Sequence, residues 1–181
     1  MAIIIDIVGA LVIAGIIMLA VLGLNEDLTV ATYNKTFTLL TQTNAVALAR
    51  MIESDFVKMG YHTPVPAVLA AGPDSIVFLA DLHDAGTVNT VKYRIGPTGS
   101  LGFTKNPRDR ILYRVEDGVV TAANLGVTSL TFSYYRVDGY GTSAPDSVKS
   151  INVTFVVQSP EPTDSSYSEA VWQKKIYPKN L

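Results

Sequence analysis

The chain has no cysteine, two histidines, one tryptophan, and no lysine or arginine before Lys35. Without cysteine there are no disulfide staples, no thiol nucleophile and no thiolate zinc site. His62 and His83 are too few for a histidine-rich metal centre. The net charge is −2 over 181 residues, with acids and bases scattered. No basic patch of the kind that neutralises phosphates is present, so nucleic acid is not an expected partner. The missing basic front flank excludes the positive start of a secretory signal peptide and leaves orientation in a membrane undefined by charge. The sequence therefore implies an already mature form, or insertion that does not depend on a basic leader. A second long hydrophobic run is also lacking.

The first such run dominates what is present. Residues 7–24, IVGALVIAGIIMLAVLGL, carry no charge, and one acid, Asp6, stands just before them. Eighteen apolar residues approach the ~20 that a membrane-spanning helix needs. The pattern that follows stays compatible with helix as far as Lys58, so the sequence predicts one helix over 3–58, about 85 Å long if unbroken. Gly9, Gly15 and Gly23 weaken it, and Asn25-Glu26-Asp27 ends the apolar half, so a kink or melted stretch is expected between Gly15 and Asp27. Six threonines follow: Thr29, Thr32, Thr36, Thr38, Thr41 and Thr43. Threonine is a mediocre helix former, but its short, half-apolar side chain suits a crowded helix bundle. Ala45, Leu48, Ile52, Phe56 and Met59 recur at helical spacing and are expected to lie on a sheet.

Gly60 is a good residue to close the helix. Pro64, Pro66, Gly72 and Pro73 then give an irregular connector. Strands are predicted at 75–79, 87–95, 110–116, 119–122, 127–137, 148–158 and 169–177, several with alternating apolar residues. Asp117-Gly118 between two apolar runs is the clearest hairpin turn. Residues 159–168 read as a Pro/Ser/Asp-rich loop. The expected fold class is α+β: a long N-terminal hydrophobic helix packed on a C-terminal antiparallel sheet. The expected organisation is residues 1–59 as helix (1–27 apolar, 28–59 amphipathic) and 60–181 as a β domain that folds alone.

The candidate functional residues lie in the apolar run. A carboxylate at the edge of a span is costly unless paired, which singles out Asp6. Removal of Met1, favoured by small Ala2, would make Asp6 the fifth residue, placed to meet the α-amino group of a neighbouring copy. Ala10 and Ala14 form a small-xxx-small pair, and Gly9, Gly15 and Gly23 add small surfaces that let helices approach closely. Residues 81–89 hint at a calcium loop, but His83 takes the third position and no acid takes the twelfth, so a hairpin turn is expected there. Asn34-Lys35-Thr36 and Asn152-Val153-Thr154 match the glycosylation sequon. Neither histidine has a nucleophile or paired acid near it in sequence, and no phosphate-binding glycine loop exists. No enzyme activity, cofactor or metal is expected. Tyr134, Tyr135, Tyr140, Trp172 and Tyr177 are read as sheet faces and core.

This layout resembles the type IV pilins and pseudopilins. The C-terminal part is similar to the minor pilins and pseudopilins of the W and J type, through residues 86–93 (GTVNTVKY), 111–114 (ILYR), 127–135 (VTSLTFSYY) and 178–181 (PKNL). The resemblance implies a filament subunit that waits in the inner membrane and then assembles with copies of itself through its N-terminal helix. Other pilins and assembly machinery are implied partners. In that family an acid near the start pairs with a neighbour's N-terminal amine, and Asp6 is the residue here that matches it. The usual acid is Glu, and the family's leader ends in Gly; cutting after Gly9 would discard Asp6. Two further readings belong beside this one: a minor pseudopilin at the tip of a type II secretion or pilus machine, and a membrane-tethered β domain for binding or adhesion.

Overall fold

Helix propensity carries the chain without interruption from Ala2 to Val57, which form α1. The expected break between Gly15 and Asp27 is not there. Each glycine costs about 1 kcal/mol against alanine, but the three are separated by Leu, Ile, Met and Ala, which are strong or fair helix formers. The computed structural model describes residues 2–63, 66–102, 104–163 and 165–181. Met1, Pro64 of the predicted connector and Asp164 of the 159–168 loop therefore lie outside the described residues.

Seven strands follow: β1 (Val68–Ala71), β2 (Ser75–Ala80), β3 (Asn89–Ile95), β4 (Arg110–Glu116), β5 (Val119–Tyr135), β6 (Ser150–Gln158) and β7 (Glu169–Ile176). They form one antiparallel sheet in the order β1 to β7, each strand beside its neighbours in sequence. The fold class is α+β, with the long helix packed on the sheet. Two elements differ from the sequence reading. β1 occupies part of the connector read as irregular; it is four residues long, and Pro66 and the Gly72-Pro73 pair hem it in. The two strands expected at 119–122 and 127–137 are one strand, β5, whose pairing with β6 shifts register between Val127 and Ser129. The Asn124-Leu125-Gly126 interruption is a bulge-like irregularity rather than an end.

Asp117 (φ 47°) and Gly118 (φ 84°) both sit in the left-handed region, the backbone of a two-residue hairpin joining Glu116 to Val119. At the end of the helix Gly60 has φ 79°, and a Cβ there would stand 2.5 Å from the carbonyl oxygen of Asn180. Glycine is required at that point on both counts.

The core lies between one face of the sheet and the second part of α1. Leu48, Ile52, Phe56 and Met59 are fully buried, and Ala45 nearly so, as the helical spacing predicts. Phe56 is the centre: it meets Phe78 and Tyr93 edge-on at 5.3 and 5.6 Å and stacks on Phe132 at 5.8 Å. Such pairs contribute about 0.5–1.5 kcal/mol beyond area burial. Packing therefore makes residues 38–57 part of the same core as the sheet, and the chain divides into two compact units, one ending at Phe37 and the other spanning Thr38–Leu181. Among the aromatics assigned to faces and core, Tyr134 is buried and Trp172 stacks on Phe155 at 5.0 Å. Tyr140 and Tyr177 are exposed instead, because one lies in the turn after β5 and the other just past β7.

Candidate functional site

Residues 3–24 of α1 turn their large apolar side chains outward on every side, from 52% exposed at Val21 to 74% at Ile3. This stretch is long and apolar enough to cross a membrane, and none of it is buried by the chain itself. Asp6 is exposed and has no ion-pair or hydrogen-bond partner among the described residues. At about 100° per residue, Asp6, Ala10 and Ala14 fall within about 80° of one another, with Gly9 about 60° to the other side of Asp6. Gly23 lies about 40° beyond Gly9, and Gly15 is on the opposite side. A Cβ added at Gly9, Gly15 or Gly23 would meet nothing within 4 Å. The helix thus brings Asp6, Gly9, Ala10 and Ala14 onto one side, and Gly15 is not among them.

The threonine stretch keeps most of its hydroxyls within the helix. Thr29 Oγ1 donates to the Asn25 carbonyl at 2.8 Å, Thr32 to Leu28 at 2.7 Å, Thr36 to Thr32 at 2.9 Å, and Thr43 to Leu39 at 2.8 Å. Each hydroxyl is satisfied one turn back by a carbonyl of its own helix. What these residues present to their surroundings is then mainly a methyl group. The Thr38 hydroxyl lies 3.3 Å from that of Ser168, and Thr41 is buried within the Thr38–Leu181 unit. Within the second unit the helix carries a further apolar stripe facing away from the sheet: Leu39, Val46 and Val57 are 55%, 49% and 52% exposed. With Thr43 and Arg50 they follow a spacing of four and three residues, one face of a helix.

The two histidines sit in polar clusters around the β2–β3 loop. His62 Nδ1 lies 3.1 Å from Asp81 Oδ2 and His83 Nε2 2.6 Å from Glu116 Oε1. The Asp81 carboxylate also accepts the amides of Ala85 at 3.0 Å and Gly86 at 2.8 Å. Burial pushes this carboxyl up, but the two amides and His62 together hold it below its ordinary value. Lys58 donates to the Leu82 carbonyl, and Tyr61 donates to Asp84 at 3.0 Å. His62, Asp81 and Asp84 offer one ligand atom each within 4.8 Å of one another, the one such group among the described residues. Their lone pairs and protons are already shared with the loop's own backbone and Tyr61, which is how a turn is tied down. Residues 81–89 do make the expected turn between β2 and β3.

One group of residues had no signal in the sequence. Asp55, in the last turn of α1, accepts the Tyr93 hydroxyl and the Arg114 Nε, both at 2.6 Å. Arg114 Nη1 continues to Glu116 at 2.7 Å. Asp55 and Arg114 have side chains only 11% and 17% exposed. Burial and the Asp55 charge push the Tyr93 hydroxyl far above its ordinary range. The cluster fastens the helix to β3 and β4. Residues that alternate along a strand give no hint in sequence of a partner on a helix. Lys174 adds a surface tie to Glu53 at 2.7 Å. Of the sequon asparagines, Asn34 is on α1 and Asn152 on β6, both half-buried. No protein-family model matches this chain, and no curated protein matches it.

Proposed function

We propose that this chain is a structural subunit of an extracellular, type IV pilus-like filament, assembled through its N-terminal helix and held in the inner membrane beforehand. One observation carries the reading: an apolar stretch exposed on all sides continues, in the same helix, into a surface whose hydroxyls are turned back on their own carbonyls. A lipid anchor alone requires the first part. The second part suits a setting in which other helices crowd against it. Burying a Val, Leu or Ile side chain contributes about 1.5–3 kcal/mol, so a bundle of such helices holds together without covalent links. Its partners are copies of itself, with other pilins and an assembly machine in supporting roles. The β units face outward, and neither nucleic acid nor catalysis enters the reading. Asp6, the one acid of this stretch, gives register by meeting a neighbour's N-terminal amine.

Cryo-electron microscopy of material sheared from producing cells tests it. The expected result is filaments built from this chain, helices inward. Filaments of another protein with this chain rare among them would make it a minor tip subunit. No filaments, with the chain retained in membranes, would make it a tethered β domain. Asp6→Ala is expected to cut filament yield at least about tenfold, the loss of one ion pair in a low-dielectric setting. Normal yield from that variant would remove the pairing role.

A further inference from the structure

Helix residues 40–44, the loop leading into β4, the middle of β5 and the end of β6 enclose a cavity of about 340 Å3, wholly within the Thr38–Leu181 unit. Leu40 and Pro160 give it apolar walls. Much of its polar lining is occupied. The Gln158 side chain accepts from Asn106 at 3.1 Å and donates to Glu169 at 2.7 Å. Two lining groups are not. Asp109 is 1% exposed and Thr41 is 2% exposed. Both oxygens of the Asp109 carboxylate and the Thr41 hydroxyl lack any hydrogen-bond partner among the described residues. No Lys, Arg or His among them pairs with Asp109. Burial pushes its carboxyl up; the nearby Thr104 hydroxyl, which does not meet hydrogen-bond geometry with either oxygen, draws it back only in part.

A carboxylate withdrawn from water without a counter-charge is costly, and a neutral partner fills its lone pairs without cancelling the charge. Elsewhere in this protein the buried Asp55 is matched by Arg114, and the buried Asp81 lies beside His62. A cation is the occupant that lets Asp109 keep its charge rather than take up a proton. A bare metal ion is a poor fit. Calcium takes six to eight oxygen ligands, and transition metals favour histidine or cysteine, whereas this lining holds one carboxylate and neither of those residues. The volume is that of a small organic group, at the lower end of ligand pockets. Two adjacent unpartnered oxygens match a planar, two-pronged donor, and the guanidinium is also the more weakly hydrated of the biological cations.

We propose that this cavity is a guanidinium-binding site, in which Asp109 takes a two-pronged ion pair, Thr41 accepts a further hydrogen bond, and the stem of the ligand lies along Leu40 and Pro160. The guanidinium is that of a free small molecule or of an arginine on a second copy of this chain. The site does not depend on the filament reading.

The test is calorimetric titration of the full chain in detergent with butylguanidinium, beside butylammonium of equal charge. Saturable binding is expected for butylguanidinium, at least about tenfold tighter than for butylammonium. D109N is expected to weaken it at least about tenfold, and T41V about two- to fivefold. D109N is expected to unfold no more readily than the parent chain, since it removes an uncompensated charge. Should D109N fail to fold, amide shifts of the parent chain on titration decide: changes centred on residues 40–44, 109 and 158 support the site. No saturable binding, equal affinity for the two cations, unchanged affinity in D109N, or shifts centred elsewhere each overturn it. If D109N also loses self-association in detergent, the guanidinium is an arginine of a second copy; if self-association is unchanged, it is a separate molecule.

Discussion

At the scale of single residues, the buried Asp55 and Asp109 show what partners do. Asp55 has a guanidinium and a phenol; Asp109 has neither. Removing one member of a buried ion pair leaves the other uncompensated, which costs about 3–5 kcal/mol. Asp55→Ala is therefore expected to destabilise the Thr38–Leu181 unit by about 3 kcal/mol, read as a shift in urea midpoint. A loss under about 1 kcal/mol would mean that Arg114 finds water instead. Glu116 gives the pH dependence. Burial alone would raise its carboxyl, but Arg114 and His83 pull it below its ordinary 4.5. The folded value is lower than the unfolded one, so its stabilisation is complete above 4.5 and is lost as pH falls through the lowered value. Between about pH 5 and pH 3 the parent chain is expected to lose more stability than Glu116→Gln, measured by denaturant midpoints. Asp109 runs the other way: its raised carboxyl favours the folded state more as pH falls toward 3.8.

At the scale of elements, most of this architecture was legible. The apolar run, the 45–59 stripe and the Asp117-Gly118 turn each follow a local rule of period or backbone, and each is where that rule puts it. What was missed depends on distant partners. β1 is too short and too close to prolines to show a period, and exists because β2 offers it a ladder from Ala71 to Val68. β5 crosses Asn124 and Gly126 without ending because β4 and β6 hold it from either side. Asp109, in the sequence Asn106-Pro107-Arg108-Asp109, reads as surface loop; only the arrival of Thr41 and Gln158 buries it. Of the candidate assembly residues, Asp6, Gly9, Ala10 and Ala14 share a side by spacing alone. The packing also bears on where the chain can be cut. Leu48, Ile52 and Phe56 cover the inner face of the sheet. A fragment of residues 60–181 leaves that face bare and is expected to aggregate or stay unfolded, while 38–181 is expected to fold. Circular dichroism and cooperative unfolding of the two fragments check this; cooperative unfolding of 60–181 would show that the helix is dispensable.

At the scale of the whole molecule, one helix serves two environments. Apart from Asp6, residues 3–24 offer only apolar surface, and the second part offers one face to the sheet and another outward. The threonines between them keep hydrogen-bonding groups inside the helix, so the surface is apolar without the sequence being so. The sheet has a property with a different kind of consequence. Because every strand lies beside its sequence neighbour, no strand waits for a partner that has yet to be made. As the polypeptide leaves the ribosome, the helix comes first. The hairpins then close one after another onto residues 45–56, which are already in place. Synthesis order and the order of strand pairing run the same way along the chain, and Asn180, which lies against Gly60, is among the last residues made. Local pairing of this kind is fast and exposes few unpaired edges along the way. A chain that folds this way is spared most of its opportunities to tangle with other chains.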